Sequence, residues 1–483
     1  MNVRVNHLSK SILTFSVISF IRPALGILLL PMYLSYLSPS DYAELALYGI
    51  VAMVLGVFAN FKLDHGMRTF FFDYEDDPKK QATYLRSVLT ASFIASSALI
   101  IFVFFMGDTI FDVFFSADKL SFYPLGLMAV ISNAIGQATL SYFVYLQNNK
   151  WLKEFVTLRL IDIFITVLSQ VVFVTIFDLG ILGIILGNLV SSLVTLLLVL
   201  ARNINCMLNW PDMKLLIPSL KFVLPLILFS FVTLFEKTSD RLVLERFLDY
   251  SDLGIYTLVL TLVGASALIF NSLDNAFRPY LYSQLKKNDD PQKITDFLTV
   301  YCALGLTSLM AIASLATNIY LITSNTRYEA VSEYVPLAAI AFSSVCITRF
   351  YALNYVFYKK SGSLTIWTTL KVFVTFALLL LIVPVLGIQG AFIAVGIGNI
   401  LNVVLFIIHI RSFAKINADA MTLGLLFALF MLLVLVIPFI FGWVFSEFYS
   451  LIVAILYCSL TYFMTIKKAR EIVEVADLST SQP

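Results

Sequence analysis

LDHGMRTFFF, residues 63–72, and SLDNAFRPYLY, residues 272–282, decide how this chain is read. Asp64 and Arg68 recur as Asp274 and Arg278, 210 residues further on, and an aromatic stretch follows each pair. Working outward, LSPSDYAELAL from Leu37 matches LDYSDLGIYTL from Leu248, and SYFVY from Ser141 matches NYVFY from Asn354. TLRL from Thr157 then matches TLKV from Thr369, and GILG from Gly180 matches GIQG from Gly387. One short match is easily accidental. Five in the same order, at spacings of 207 to 213 residues, mark an internal duplication.

Composition sets the environment of the duplicated unit. The chain of 483 residues is 60% hydrophobic and 13% charged, against roughly 45–50% apolar in soluble domains, and its mean hydropathy is +0.92. It reads as an all-α polytopic membrane protein. A net charge of +2 gives no basic surface for nucleic acid. Cys206, Cys302, Cys346 and Cys458 lie far apart without metal or redox spacing and read as core filler; no metal site or cofactor is expected. The first apolar run is too long for a signal peptide and is expected to stay as a helix.

Apolar runs of membrane-spanning length fall near 11–37, 42–62, 86–107, 121–146, 156–177 and 180–200, then near 218–241, 252–273, 295–318, 335–358, 364–384 and 387–409. Two more, near 421–441 and 446–465, bring the expected count to about fourteen. With both termini in the cytosol, 26 of the 32 Lys and Arg fall in inner segments and five at the outer face, as the positive-inside rule requires. Arg22 is the one left over.

An even number of spans separates the copies, so they share one orientation and are related by an axis along the membrane normal. The expected architecture is two parallel six-helix lobes with a site between them. Residues 1–210 form the first lobe, 211–416 the second, and 417–483 carry the last two helices and a cytosolic tail.

Charge inside the spans points to that site, because a charge facing lipid costs on the order of 2.5 kcal/mol or more. Ser19, Arg22 and Gly26 share one helical face. In span 7, Thr233, Glu236, Lys237, Asp240 and Arg241 form a charged stripe, and Arg349 and Lys371 lie in or beside later spans. These residues are candidate cavity ligands; for the span 7 stripe a solvated helix end is an equal alternative. Asp162 is either an ion pair with Arg159 or a site of ion coupling. Asp64, Arg68, Asp274 and Arg278 read as brackets of a cytosolic gate. Arginine, with its planar fork, suits a phosphate-bearing headgroup.

No catalytic machinery is visible. There is no GxxxxGK[ST] run, the three His, His7, His65 and His409, all fall on the cytosolic side, and the longest outer loop is short, so an ATP-driven pump and an enzyme are both disfavoured. LLLPMYLSYLSPSDYAELALY at 28–48, FFFDYEDDPKK at 70–80 and KFVLPLILFSFVTLFEKTSDRLVLERFLDYSDLGIYTLVLTL at 221–262 resemble the Wzx-type polysaccharide flippases of the multidrug/oligosaccharidyl-lipid/polysaccharide (MOP) superfamily. The resemblance implies two lobes in a V, as in the MATE and MurJ branches, and alternating access. It implies an undecaprenyl-diphosphate-linked oligosaccharide as cargo in a bacterial cytoplasmic membrane, and a proton or sodium counter-ion. A polymerase and a chain-length regulator would be partners. By the same resemblance Arg22 holds the pyrophosphate, and Asp240 with Arg241 match a charged pair of the seventh helix. Fourteen spans instead of twelve, and Ala43 where the family has Gly, are departures. The rival readings are a cation-coupled multidrug antiporter of the same fold, and a membrane-embedded polymerase or acyltransferase.

Overall fold

The computed structural model describes residues 24–74, 76–115, 120–207, 210–287, 291–317, 325–413, 420–436 and 454–462, with Ile18, Ile21, Met464, Thr465 and Lys468 besides. Its described residues are helical apart from turns and short connections. The chain divides into two compact units, Met1–Arg246 (unit 1) and Phe247–Pro483 (unit 2).

Unit 1 contains α1 (Leu30–Tyr36), α2 (Pro39–Asn60), α3 (Leu63–Phe70), α4 (Pro78–Phe114), α5 (Leu125–Asn148), α6 (Leu152–Val171), α7 (Gly180–Met207) and α8 (Met213–Phe247). Local chemistry starts and stops them. Ser38 and Asp41 form a reciprocal capping box at the start of α2, with Pro39 in the first turn. Phe61 and Lys62 then take left-handed backbone conformations that separate α2 from α3. A π turn, Val172–Ile176, ends α6. Helices α2 and α7 both pack on α5, and α6 packs on α7.

Unit 2 contains α9 (Tyr250–Gly264), α10 (Ser266–Lys287), α11 (Pro291–Thr317), α12 (Val331–Ser343), α13 (Val345–Phe357), α14 (Ser361–Ile410) and α15 (Ala420–Met431). Helix α14 is two helical segments joined at Gly387, whose φ of 57° and ψ of −135° leave the helical region. Only glycine adopts that conformation without steric cost.

Ten helices among the described residues are long and apolar enough to cross a membrane. Large apolar side chains such as Phe102, Phe104 and Phe105 are exposed on α4, as a lipid-facing surface requires. The chain is therefore a multi-pass membrane protein. The count departs from fourteen for identifiable reasons. In the first expected span residues 11–17, 19, 20, 22 and 23 lie outside the described residues, and α1 within it is only seven residues long. The spans near 364–384 and 387–409 run on as the single element α14, and the last two are described only in part. Helix α8, the first span of the second copy by sequence, is grouped with unit 1.

Equivalent contacts within each unit fix the register of the duplication. A Cβ added to Gly180 would meet Leu37 at 3.8 Å, and one added to Gly387 would meet Leu248 at 3.8 Å; both glycines have positive φ. Lys150 and Lys359 are the left-handed residues that end α5 and α13, each followed by an N–H that reaches back five residues to a carbonyl. Ser132 touches Ser192 in unit 1, while Asn399 donates to the Ala341 carbonyl in unit 2. Thr166 bonds Ser191, and Thr375 packs against Gly398. These pairs set offsets of 211 at α2, 209 across α5 and α6, and 207 at α7. The matches of SYFVY with NYVFY and of TLRL with TLKV are consequently displaced, by four and three residues. A slip of one helical turn keeps the same face, which is why the sequence tolerates the wrong pairing.

Candidate functional site

A cavity of about 750 Å³ lies within unit 1, of a size that suits a small-molecule ligand. Its walls come from α2, α3, α5, α6 and α7, and Ile18 reaches it too. Space exists because the sequence puts small residues there: Cβ atoms at Gly49 and Gly136 would meet nothing within 4 Å. Arg68 and Arg159 supply charge, and Asn133, Gln137, Gln147 and Asn188 supply carboxamides. Among the described residues no carboxylate lines the cavity.

Each polar group is held by its own helix contacts. The Arg159 guanidinium lies 3.5 Å from the centre of the Phe143 ring, a cation–π geometry, and its Nη1 is 3.7 Å from Asp162 Oδ2. Asp162 sits behind that wall, 5% exposed, with Ser191 Oγ 2.9 Å and Thr195 Oγ1 3.4 Å from Oδ1. Arg68 donates to Gln147 Oε1 at 3.4 Å. Asn188 is oriented through a chain of two hydrogen bonds: Tyr33 donates to Gln170 Oε1 at 2.6 Å, and Gln170 Nε2 donates to Asn188 Oδ1 at 3.1 Å. Asn133 differs, because its Oδ1 is buried without a hydrogen-bond partner among the described residues. It fits only because position 56 is glycine, where a side chain would overlap the carboxamide.

The sequence candidates fall in several places. Arg22 lies outside the described residues, although Ile18, four positions earlier, lines the cavity. On α8, Glu236 is half-buried, Lys237 exposed and Asp240 buried; Asp240 Oδ1 accepts the Arg241 backbone N–H at 2.8 Å, and Arg241 Nη1 donates to the Lys237 carbonyl at 3.2 Å. Arg349 and Asp274, assigned by sequence to different roles, meet in unit 2. Their Nη1–Oδ2 distance is 2.8 Å; Arg349 also donates to Asn271 Oδ1 at 2.9 Å, and Tyr301 donates to Asp274 Oδ1. Lys371 is half-buried on α14, and Arg278 is exposed. Asp64 is buried and accepts from Asn60 Nδ2 at 3.3 Å, with His65 Nε2 at 3.7 Å. Cys302 and Cys346 are buried free thiols.

Sequence reasoning missed Asn133, Gln137 and Asn188, and took Arg159 only as a partner of Asp162. A signal was present: Asn133 and Gln137 stand four apart around Gly136 in an otherwise apolar span, one polar face beside a gap.

In unit 2 the corresponding space is filled. Leu45 corresponds to Tyr256 and Ile185 to Phe392, two fully buried rings packed with centroids 4.8 Å apart. Asn133, Gln137 and Asn188 correspond to Phe342, Cys346 and Val395.

The described residues thus form a duplicated helical bundle whose first copy holds a polar cavity with no carboxylate among its described lining residues. The chain belongs to the family described as polysaccharide biosynthesis protein, whose sequence model matches residues 36–324. Its fold is similar to that of several solved membrane-protein structures. Lipid II flippase MurJ in an inward-closed conformation is similar over 90% of this chain and 99% of its own, with 15% identity and a TM-score of 0.62. An inward-facing multidrug resistance MATE family transporter is similar over 83% of this chain and 97% of its own, with 14% identity and a TM-score of 0.62. A MOP superfamily transporter from Pyrococcus furiosus, described by the reverse polarity of its binding pocket, is similar over 83% and 95%, with 15% identity and a TM-score of 0.52. Comparison with curated proteins finds no relative.

Proposed function

We propose that this protein is a Wzx-type flippase. It carries an undecaprenyl-diphosphate-linked oligosaccharide, a repeat unit of a surface polysaccharide, from the inner to the outer leaflet of a bacterial cytoplasmic membrane by alternating access. The observation that carries this reading is the wall of the unit 1 cavity, with Arg68 and Arg159 on it and no carboxylate among its described residues. Such a wall suits a phosphate-bearing polar headgroup and disfavours an organic cation, which would seek an acid. The family match, to a model named for polysaccharide biosynthesis, agrees with it. Arg22 joins these arginines as the ligand of the diphosphate on the strength of its sequence position alone. Fourteen spans, cytosolic termini, and a polymerase and chain-length regulator as partners belong to the same reading.

The test is export of lipid-linked oligosaccharide in cells lacking their own flippase. Wild-type protein restores surface polysaccharide; Arg22→Ala and Arg159→Ala insert normally and do not, while Arg22→Lys restores part. Full export with both alanine variants would overturn the reading. A second reading, a cation-coupled multidrug antiporter, draws on one observation, the buried Asp162 beside the cavity. Drug efflux that is lost in Asp162→Asn, with no effect on lipid-linked sugar, would put it first.

A further inference from the structure

The pairing of Arg349 with Asp274 in unit 2 leaves most of the guanidinium unused. Nη1 makes both bonds, to Asp274 Oδ2 at 2.8 Å and to Asn271 Oδ1 at 2.9 Å. Nε and Nη2, the side-on edge of the group, have no hydrogen-bond partner among the described residues. That edge is not sealed off. Arg86 Nε and Arg241 Nε are buried without a partner, whereas no nitrogen of Arg349 is in that condition, and its side chain is 29% exposed. The Phe270 ring centre lies 5.5 Å from the guanidinium carbon, a cation–π distance. Phe270 is itself held in place by Gly305, where a Cβ would come within 2.6 Å of the ring.

What the cluster has left over is donors. Asp274 accepts from Tyr301 at Oδ1 and from Arg349 at Oδ2, and the one oxygen of Asn271 accepts from Arg349. The Asn271 amide nitrogen and the Arg349 edge remain. Asn271, Asp274, Asn275 and Arg278 stand at i, i+3, i+4 and i+7, on one face of α10. Asn271, Asn275 and Arg278 are exposed. A face this polar does not turn to lipid. Its two cations and one carboxylate leave it a net positive charge.

We infer that this face of unit 2 is an anion site, in which the side-on edge of Arg349 holds a phosphate group of a diphosphate ligand and Asp274 moderates the affinity. Taking that ligand to be the diphosphate of the carried lipid rests on the flippase reading; the anion site rests on unit 2 alone. The side-on edge presents two parallel N–H groups, which match two oxygens of one phosphate. A cation would find both carboxylate oxygens already engaged. Asp274 orients the guanidinium through Nη1 and offsets its charge, so the site holds an anion weakly enough to let it go. The position corresponding to Arg349 in unit 1 is Leu140, so this site belongs to one copy.

The experiment is phosphorus NMR of inorganic pyrophosphate titrated with the full chain in a phosphate-free detergent. The background is the triple variant Arg22→Ala, Arg68→Ala, Arg159→Ala, which removes the cations proposed for unit 1. Line broadening should persist there, and the apparent affinity should fall about tenfold or more when Arg349→Gln is added. Arg349→Lys keeps the charge without the fork and should bind more weakly than arginine. Asp274→Asn should tighten binding by about tenfold, a gain that a misfolded chain would not give. The same gain is read in the otherwise unchanged protein, so the test stands even where the triple variant does not fold. Farnesyl diphosphate in the same micelles separates the sources: tighter binding than pyrophosphate assigns the site to a lipid-borne diphosphate, equal binding to a free one. Broadening unchanged by Arg349→Gln overturns the site, and so does a monodisperse Asp274→Asn protein that binds no tighter. Export in cells separates the two claims. Pyrophosphate binding at Arg349 without export of lipid-linked oligosaccharide removes the flippase reading and leaves the site; undiminished export by Arg349→Gln removes the site from the transport path and leaves the flippase.

Discussion

Unit 1 and unit 2 are built on one plan and diverge at its centre. Leu37 against Gly180 and Leu248 against Gly387 hold the same corner at the same distance. A few residues inward, one copy has a cavity bordered by Asn133 and Arg159, and the other has Tyr256 packed against Phe392. The conserved aspartate of the founding motif shows the same division. In unit 1, Asp64 is held by the neutral Asn60, whose Oδ1 in turn accepts from Ser92 at 2.8 Å. In unit 2, Asp274 is held by the Arg349 guanidinium. The position corresponding to Arg349 in unit 1 is Leu140, on the cavity wall. One plan thus supports a packed centre in one copy and a cavity in the other.

The comparison can be broken at its strongest point first. Asp274→Ala leaves Arg349 partly buried without its counter-charge and should cost about 3 kcal/mol or more, read as a fall in thermal midpoint in detergent. The double variant with Arg349→Ala should recover part of that loss, and Asp64→Ala should cost only about 1 kcal/mol because its partner is neutral. Equal losses in the two copies would erase the distinction. Next, Gly136→Val installs the residue of unit 2 in the cavity of unit 1. Export should fall on the order of a hundredfold through displaced substrate, with the inserted amount unchanged on an immunoblot.

The converse change should be mild for function. Tyr256→Leu restores the residue of unit 1 in unit 2 and should lower stability by about 2 kcal/mol, as large-to-small core changes do, while export stays at the wild-type level. The smallest effect concerns helix starts. Ser38→Ala removes a side-chain cap and should cost about 1 kcal/mol. Asp249→Ala, at the equivalent turn, should cost less, because the Asp249 side chain makes no capping hydrogen bond. Thermal midpoints of the two variants, measured side by side, check this.

Local features were legible in the sequence and distant ones were not. The capping turn at Ser38 and the paired glycines at 180 and 387 depend on backbone geometry that few residues satisfy, so short matches found them. The membrane class followed from composition, because unpaired backbone in lipid is too costly for any other reading of such apolar runs. The bond between Arg349 and Asp274 joins residues 75 apart, and nothing local announces it. Charges in spans drew attention to α8, yet carboxamides outnumber charged side chains on the cavity wall. Asn133 and Gln137 look unexceptional in a helix until Gly49 and Gly136 are seen to leave space in front of them.

The π turn Val172–Ile176 has a consequence for how such a molecule can change length. Between Phe173 and Gly180 unit 1 is longer than unit 2 between Ile382 and Gly387, and the offset between the copies drops from 209 to 207 there. On either side, Gly183 faces the Phe173 carbonyl as Gly390 faces that of Ile382. An insertion has been wound into the end of a helix and the corner beside it without disturbing the contacts of the next one. That corner is a length buffer: it is one place in unit 1 where the chain differs in length from unit 2 while the cavity keeps its walls.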